Sequence, residues 1–245
     1  MNREGVTEDK YRIKFYDCDI NERMKTSALL KIFSEIAGHD YTLKGYTHEY
    51  LWEREMVFLL SRVSMHVYEL PVNQQHVIVR TWECGKKGAM YLRGSDILAQ
   101  DGRKLVDCLG GWVLVNPNTR KIYRPSHFDG GFPQLTDMPM NAPELVRVSA
   151  ENAADAGAHI VRYSDLDGNG HVYNAAYADI AADVLTKEER AMAYSDMRIN
   201  YIGEAVEGDR IELRKVSEDK RIAVVGTVNG SVCFETEISV CRIDL

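Results

Sequence analysis

The chain has 245 residues, 45% of them hydrophobic and 27% charged, with a formal net charge of −7. This composition is that of an ordinary globular protein and excludes a disordered or fibrous one. No apolar run approaches the roughly 20 residues of a membrane helix, and the polar start MNREGVTEDK does not read as a signal peptide. The charge is uneven: residues 1–124 carry 19 Lys+Arg against 16 Asp+Glu, residues 125–245 carry 11 against 21. No strongly basic face results, so nucleic acid is not an expected partner. The five cysteines (Cys18, Cys84, Cys108, Cys233, Cys241) are odd in number and lack CxxC spacing, which reads as reduced thiols in a cytoplasmic protein.

In chain order, the run YRIKFY predicts a strand at about 11–17, and a helix follows at about 26–44. That helix carries Leu29, Leu30, Phe33, Ile36, Ala37 and Tyr41 at i, i+3/i+4 spacing, so one face is apolar. Strands are predicted at 56–68, 75–83, 89–99 and 103–115, with Asp101-Gly102 reading as a type I′ hairpin. Gly110-Gly111 inside the last of these predicts a bulge or a close backbone approach. Residues 125–157 hold four of the six prolines and read as a linker.

Beyond it the order repeats. The run HIVRYS predicts a strand, a helix is expected at about 174–190, and strands at 196–203, 210–216, 221–228 and 231–243. Asn229-Gly230 stands where the first half has Asp101-Gly102. The duplication is sharpest in one phrase: Asp17-Cys-Asp19-Ile-Asn21-Glu-Arg23 returns as Asp165-Leu-Asp167-Gly-Asn169-Gly-His171. A repeated unit of this size sets the fold. One long helix with a run of antiparallel strands, made twice, predicts an α+β protein: a tandem double hot dog, each half a curved antiparallel sheet wrapped around one central helix. The expected division is 1–124, linker 125–157, and 158–245. Paired halves already form a pseudo-dimer, so a monomer and a homodimer of two chains both fit.

The second phrase opens like an EF-hand loop, but the twelfth position is Ala176 where a bidentate Glu is required, and a strand precedes it where a helix should. The seven histidines show no metal-ligand spacing, so neither a metal nor a cofactor is expected. No nucleophile elbow, P-loop or dinucleotide fingerprint is present. What remains is Asp167, Asn169 and His171 at i, i+2, i+4 before a helix. A carboxylate can activate water or orient an imidazole, the imidazole can move protons near neutral pH, and a carboxamide with helix-start N–H groups can hold an oxyanion. The same residue types also cap helices and fill turns, and spacing alone leaves that reading open.

The segment RYSDLDGNGHVYNAAY closely resembles the signature of acyl-acyl-carrier-protein thioesterases, approximately S-D-L-D-x-N-x-H-V-x-N-x-x-Y. Ser164, Asp165, Leu166, Asp167, Asn169, His171, Val172, Asn174 and Tyr177 meet it. The family has two hot dog repeats, the first degenerate at the histidine, where this chain has Arg23. The resemblance implies hydrolysis of fatty acyl thioesters, with Asp167, Asn169 and His171 catalytic, and a glutamate in a Y-x-x-E segment on the strand after the helix. Tyr201-Ile-Gly-Glu204 supplies it. Plant members follow that glutamate with a cysteine; here Ala205 follows, which weakens any thiol mechanism.

The resemblance also implies an acyl-chain pocket in the first half beside Leu29, Leu30, Phe33, Ile36, Met56 and Phe58. It implies an acidic acyl carrier protein as partner, steered by Lys86, Lys87, Arg93, Arg103 and Lys104 unless these are only solvated turn residues. Two other readings stay open: an acyl-CoA thioesterase of the 4-hydroxybenzoyl-CoA type, and a non-catalytic acyl-binding protein. A hydratase is disfavoured because Asp-x-Asn-Pro-x-His is missing.

Overall fold

The computed structural model describes residues 3–130 and 133–241. The first half runs β1 (Val6–Arg12), α1 (Thr26–Leu43), α2 (His48–Trp52), β2 (Val57–Val67), β3 (His76–Lys87), β4 (Met90–Ala99) and β5 (Lys104–Val115). The second repeats it as β6 (Ala154–Ile160), α3 (Ala176–Asp183), α4 (Lys187–Ala191), β7 (Ala193–Tyr201), β8 (Arg210–Glu218), β9 (Arg221–Val228) and β10 (Ser231–Cys241). These strands form one antiparallel sheet ordered β1-β3-β4-β5-β2-β7-β10-β9-β8-β6. Each half thus contributes the same five-strand order. The halves join where β2 and β7 pair antiparallel, from Arg62 opposite Asn200 to His66 opposite Asp196. That join replaces two exposed strand edges, the usual starting point of aggregation, with ladder hydrogen bonds.

The sheet curls around the helices, and the tandem double hot dog is the architecture of the chain. Leu29, Leu30, Phe33 and Ile36 of α1 are buried in a core with Val63, Met65, Val79, Ile97 and Val106. Each such side chain contributes roughly 1.5–3 kcal/mol of burial free energy, which explains why the apolar stripe turns inward. The second core gathers Tyr177, Ile180 and Ala181 of α3 against Ile211, Leu213, Val224 and Phe234. α1 ends at Leu43, and Gly45, just past the cap residue Lys44, turns the chain away with a positive φ of 84°.

Several expectations are corrected. Both opening strands lie earlier than predicted: β1 and β6 end at Arg12 and Ile160, and the runs continue into single 3-10 turns at Phe15–Asp17 and Tyr163–Asp165. Ile13 and Val161, read as strand residues, are buried plugs between the two elements. The single helix expected at 174–190 is two, because Thr186 caps α4: its hydroxyl accepts from Glu189 N–H and the Glu189 carboxylate accepts from Thr186 N–H. The short α2 was not expected at all. The Asp101-Gly102 turn is not type I′, since only Gly102 has positive φ; Asn229 and Gly230 both do (51° and 79°), as a two-residue type I′ turn requires.

Gly110 and Gly111 lie opposite an irregularity in β2 between Leu60 and Arg62. A Cβ on Gly110 would meet Trp112 at 2.9 Å and one on Gly111 would meet Leu145 at 2.8 Å, so bulge and close approach coincide. The stretch expected as linker is fastened to the sheet. Phe128, Leu145 and Val148 are buried, Ser64 donates to Pro143 O, and residues from Ala154 already belong to β6. The expected basic cluster is largely neutralised. Arg93 is buried against Asp40 and Glu83, Lys104 pairs with Asp107, Arg103 with Glu69, and Lys87 approaches Glu144. Among the described residues Cys18, Cys84, Cys108 and Cys233 are free thiols, and no helix is long and apolar enough to cross a membrane.

Candidate active site

The two copies of the repeated phrase fold into the same loop. In the first, Asp19 N–H donates to Arg23 O at 2.8 Å, while Asp19 Oδ1 accepts from Asn21 N–H at 2.8 Å and Arg23 N–H at 3.0 Å. In the second, Asp167 N–H donates to His171 O at 2.8 Å, while Asp167 Oδ1 accepts from Asn169 N–H at 2.8 Å and His171 N–H at 3.4 Å. The residue before the last takes a positive φ in both, Glu22 at 59° and Gly170 at 77°. Asp17 and Asp165 tie each loop to its opening strand. Tyr11 hydroxyl donates to Asp17 Oδ2 at 2.8 Å, and His159 Nε2 meets Asp165 Oδ2 at 2.7 Å. Burial raises the Asp165 pKa, but the N–H of Arg162 and the imidazole of His159 outweigh it and hold the carboxyl below its ordinary range. The shared aspartates therefore build the turn; they do not by themselves make one copy different.

The difference lies at the last position. Arg23 turns to the second half, donating to Arg190 O at 3.2 Å. His171 Nε2 instead lies 3.3 Å from Glu204 Oε2. Arg120, beyond β5 in the first half, donates from Nη2 to the same oxygen at 2.9 Å. Glu204 is not on the strand as expected: β7 ends at Tyr201, and the loop that follows is pinned where Ile202 and Gly203 donate to Cys233 O and Val172 N–H donates to Ala205 O. Ala205 is fully buried beneath the loop. Asn169 sits on the exposed tip, with its backbone N–H given to Asp167. The expected donors at the helix start are partly used, because Ala176 and Ala178 donate to Tyr173 O and Ala175 O. Among the expected four, His171 and Glu204 are in contact, Asp167 acts on His171 through its backbone, and Asn169 lies two residues before His171 on the exposed tip.

A cavity of about 540 Å³ lies in the first half, along the C-terminal half of α1. Its walls include Ala37, Gly38, Tyr41, Phe58, Tyr91 and Trp112, with the buried Glu83–Arg93 pair at one side. Ser34 lines it too and acts on the Tyr173 hydroxyl, two residues after His171, so the cavity extends towards the loop that ends in His171. Burial raises that tyrosine's pKa more than the Ser34 bond lowers it. Of the residues expected to bind the chain, Phe58 is on the wall, and Met56 is in the aromatic cluster behind it with Tyr91, Leu114 and Phe128. Leu29, Leu30, Phe33 and Ile36 are on the core face of α1 and are not among the cavity's walls. Sequence reading missed Arg120, Tyr41, Tyr91 and Trp112; the aromatics signalled only core, and Arg120 sits in a turn with no motif.

The chain matches the family model for the acyl-ACP thioesterase N-terminal domain over residues 4–126 and that for the C-terminal domain over residues 149–237. It is 22% identical over 263 aligned positions to the chloroplastic oleoyl-acyl carrier protein thioesterase of Coriandrum sativum, covering 97% of this chain and 70% of that protein. Its fold matches the crystal structure of an acyl-ACP thioesterase from Bacteroides thetaiotaomicron with TM-score 0.89 at 20% identity, over 97% of this chain and 98% of the other. The 12:0-ACP thioesterase of Umbellularia californica matches with TM-score 0.81 at 17% identity, over 98% and 99% of the two chains.

Proposed function

Because this chain belongs to the acyl-ACP thioesterase family, we propose that its second half carries out thioester hydrolysis with His171 and Glu204, while its first half holds the acyl chain. The reaction converts a fatty acyl carrier-protein thioester and water into a free fatty acid and the carrier's thiol. The observation that carries the site assignment is the 3.3 Å contact between His171 Nε2 and Glu204 Oε2, made only in the copy that replaced Arg23 by histidine.

Glu204 takes a proton from water as the water oxygen attacks the thioester carbonyl carbon. Asp167 is committed to its turn, because its Oδ1 accepts two backbone N–H groups. Asn169, at the loop tip, donates its carboxamide N–H to the oxyanion that forms. Collapse of the tetrahedral intermediate breaks the C–S bond. The proton passes from Glu204 through His171 to the departing sulfur, so water has supplied one proton to the thiol and its oxygen to the acid. Ala205 follows Glu204 where a thiol mechanism would need a cysteine, so that mechanism has no support here.

Hydrolysis is tested on a panel of C8 to C18 acyl-carrier thioesters and matched CoA thioesters, with His171→Ala, Glu204→Gln and Arg23→Ala. The first two variants lose activity by roughly 10²–10⁴-fold, the contribution typical of a general acid or base. Arg23→Ala retains it, and carrier thioesters turn over faster than CoA thioesters. Survival of turnover in both His171→Ala and Glu204→Gln would reject this site while leaving the family's reaction in place.

A further inference from the structure

Glu204 belongs to the second half, but its strongest partner does not. Arg120 lies 84 residues earlier, in the loop that follows β5. That loop is preformed within the first half. Asn116, itself buried, accepts at Oδ1 from Asn118 N–H at 3.0 Å and Thr119 N–H at 2.9 Å, and its carbonyl accepts from Arg120 N–H at 2.9 Å. Its side-chain amide donates to Tyr123 Oη at 2.9 Å. Arg120 takes a φ of 59°, a left-handed conformation that non-glycine residues rarely adopt. The surrounding turn enforces it, and the result sends the guanidinium across to the other half.

The Arg120–Glu204 pair is about half exposed on both sides, 48% and 44%. Exposed pairs contribute little to stability, so the fold gains little from this contact. Its consequence is geometric. Arg120 and His171 converge on one oxygen, Oε2, of a carboxylate carried on a loop rather than on a strand. We infer that Arg120 is a positioning residue: it fixes the Glu204 carboxylate against His171, so the site on the second half is completed by the first. The inference rests on the reading of Glu204 given above. It also gives a chemical reason for both halves to act as one unit, since the second half alone lacks the group that orients its base.

The test uses the full chain, with kcat and KM measured separately on one acyl-carrier thioester for Arg120→Met, Arg120→Lys, Glu204→Gln and the Arg120→Met/Glu204→Gln double variant. Arg120→Met lowers kcat about ten- to hundredfold, the scale of a catalytic group displaced by about an ångström, while KM stays within about twofold. Arg120→Lys recovers most of that loss, because a single cation–oxygen contact suffices. The double variant is no slower than Glu204→Gln alone. A rise in KM at unchanged kcat would make Arg120 a contact to the carrier's phosphopantetheine arm and overturn the inference. So would an unimpaired Arg120→Met, or a double variant slower by the product of the two losses. An active Glu204→Gln would instead remove the parent reading, so the two failures are distinguishable.

Discussion

Asp19 and Asp167 hold equivalent loops by the same bond: Oδ1 of each accepts the N–H of the asparagine two residues on, at 2.8 Å. A carboxylate accepting backbone N–H groups contributes roughly 1.5–3 kcal/mol where it is sheltered and less where it is exposed. Asp19→Ala and Asp167→Ala are therefore expected to lower stability by similar amounts, about 1–2 kcal/mol. Only Asp167→Ala is expected to slow hydrolysis, at least tenfold, because His171 hangs from that turn. Urea denaturation and thioester hydrolysis on the same preparations check both halves of this statement. Equal activity loss in the two variants would contradict the division of labour between the loops.

Much of this arrangement was legible from sequence because it is local. The repeated phrase dictates the turn through bonds spanning two to four residues, and the helix at α1 follows from one apolar stripe. The break before α4 is also written locally, in Thr186-Lys-Glu-Glu189, directly after the apolar stripe of α3 stops at Leu185. The Arg120–Glu204 contact joins residues of no shared motif across two halves, so no spacing rule reaches it. The cavity walls were hidden for a related reason. Periodicity finds the apolar stripe of α1 but does not divide it: Leu29, Leu30, Phe33 and Ile36 go to the core, while Ala37 and Tyr41 of the same stripe join Ser34 and Gly38 on the cavity wall.

Arg93 shows how far a charge can depart from its surface reading. It is 4% exposed and donates to Asp40 at 2.8 Å and to Glu83, while Lys44 and Thr7 also reach Asp40, both at 2.6 Å. Removing one partner of a buried pair leaves an uncompensated charge, so Arg93→Met is expected to destabilise the fold by about 3–5 kcal/mol. Lys86→Met, at an exposed position, is expected to change stability by less than about 0.5 kcal/mol. Comparison of urea midpoints decides between a buried network and a steering surface.

The same cluster sets an acid limit. Burial alone would raise the Asp40 pKa, but Arg93 and the hydrogen bonds from Lys44 and Thr7 outweigh it, so the group sits below its ordinary 3.8. A depressed carboxylate contributes stability that is fully present above the unfolded value, about 3.9, and is lost as pH falls through the folded one. The parent chain is therefore expected to keep a constant contribution from Asp40 above about pH 5 and to lose it below about pH 4. In Arg93→Met the main offset is gone, so the folded pKa of Asp40 rises towards or above the unfolded value, and the part of the acid loss that comes from Asp40 shrinks. Denaturation midpoints followed from pH 7 to pH 3 would show this smaller loss; coincident profiles would contradict it.

Two glycines face aromatic rings across neighbouring strands. Gly94 pairs with Trp82, and Gly226 pairs with Phe234. A Cβ on Gly226 would stand 2.2 Å from the Phe234 ring and 2.8 Å from Ile211, both fully buried. Overpacking of this kind costs typically about 1–3 kcal/mol, so Gly226→Ala is expected to lower the thermal midpoint by several degrees. Gly226→Ala combined with Phe234→Leu is expected to recover part of the loss, because the leucine vacates the space that the ring occupied. An unchanged melting temperature in the single variant would mean the sheet opens to accept the methyl group.

Leu29 and Phe58 separate core from cavity. Leu29 is fully buried among strand residues on one face of α1, whereas Phe58 meets the cavity and packs edge-on against Tyr91 at 5.2 Å. Leu29→Ala removes core volume and is expected to cost about 2–5 kcal/mol of stability. It is expected to leave the ranking of acyl-chain lengths unchanged. Phe58→Ala enlarges the cavity and is expected to move the preference towards longer chains. A methylene buried in the space gained is worth about 0.8 kcal/mol, roughly fourfold in relative kcat/KM. Gly38→Leu acts in the opposite sense, since a side chain there enters open space on the cavity wall and shortens the preferred chain. Relative kcat/KM across C8 to C18 acyl-carrier thioesters for the three variants checks all of this. A length preference that moves with Leu29 and stays fixed with Phe58 and Gly38 would place the acyl chain on the other face of α1.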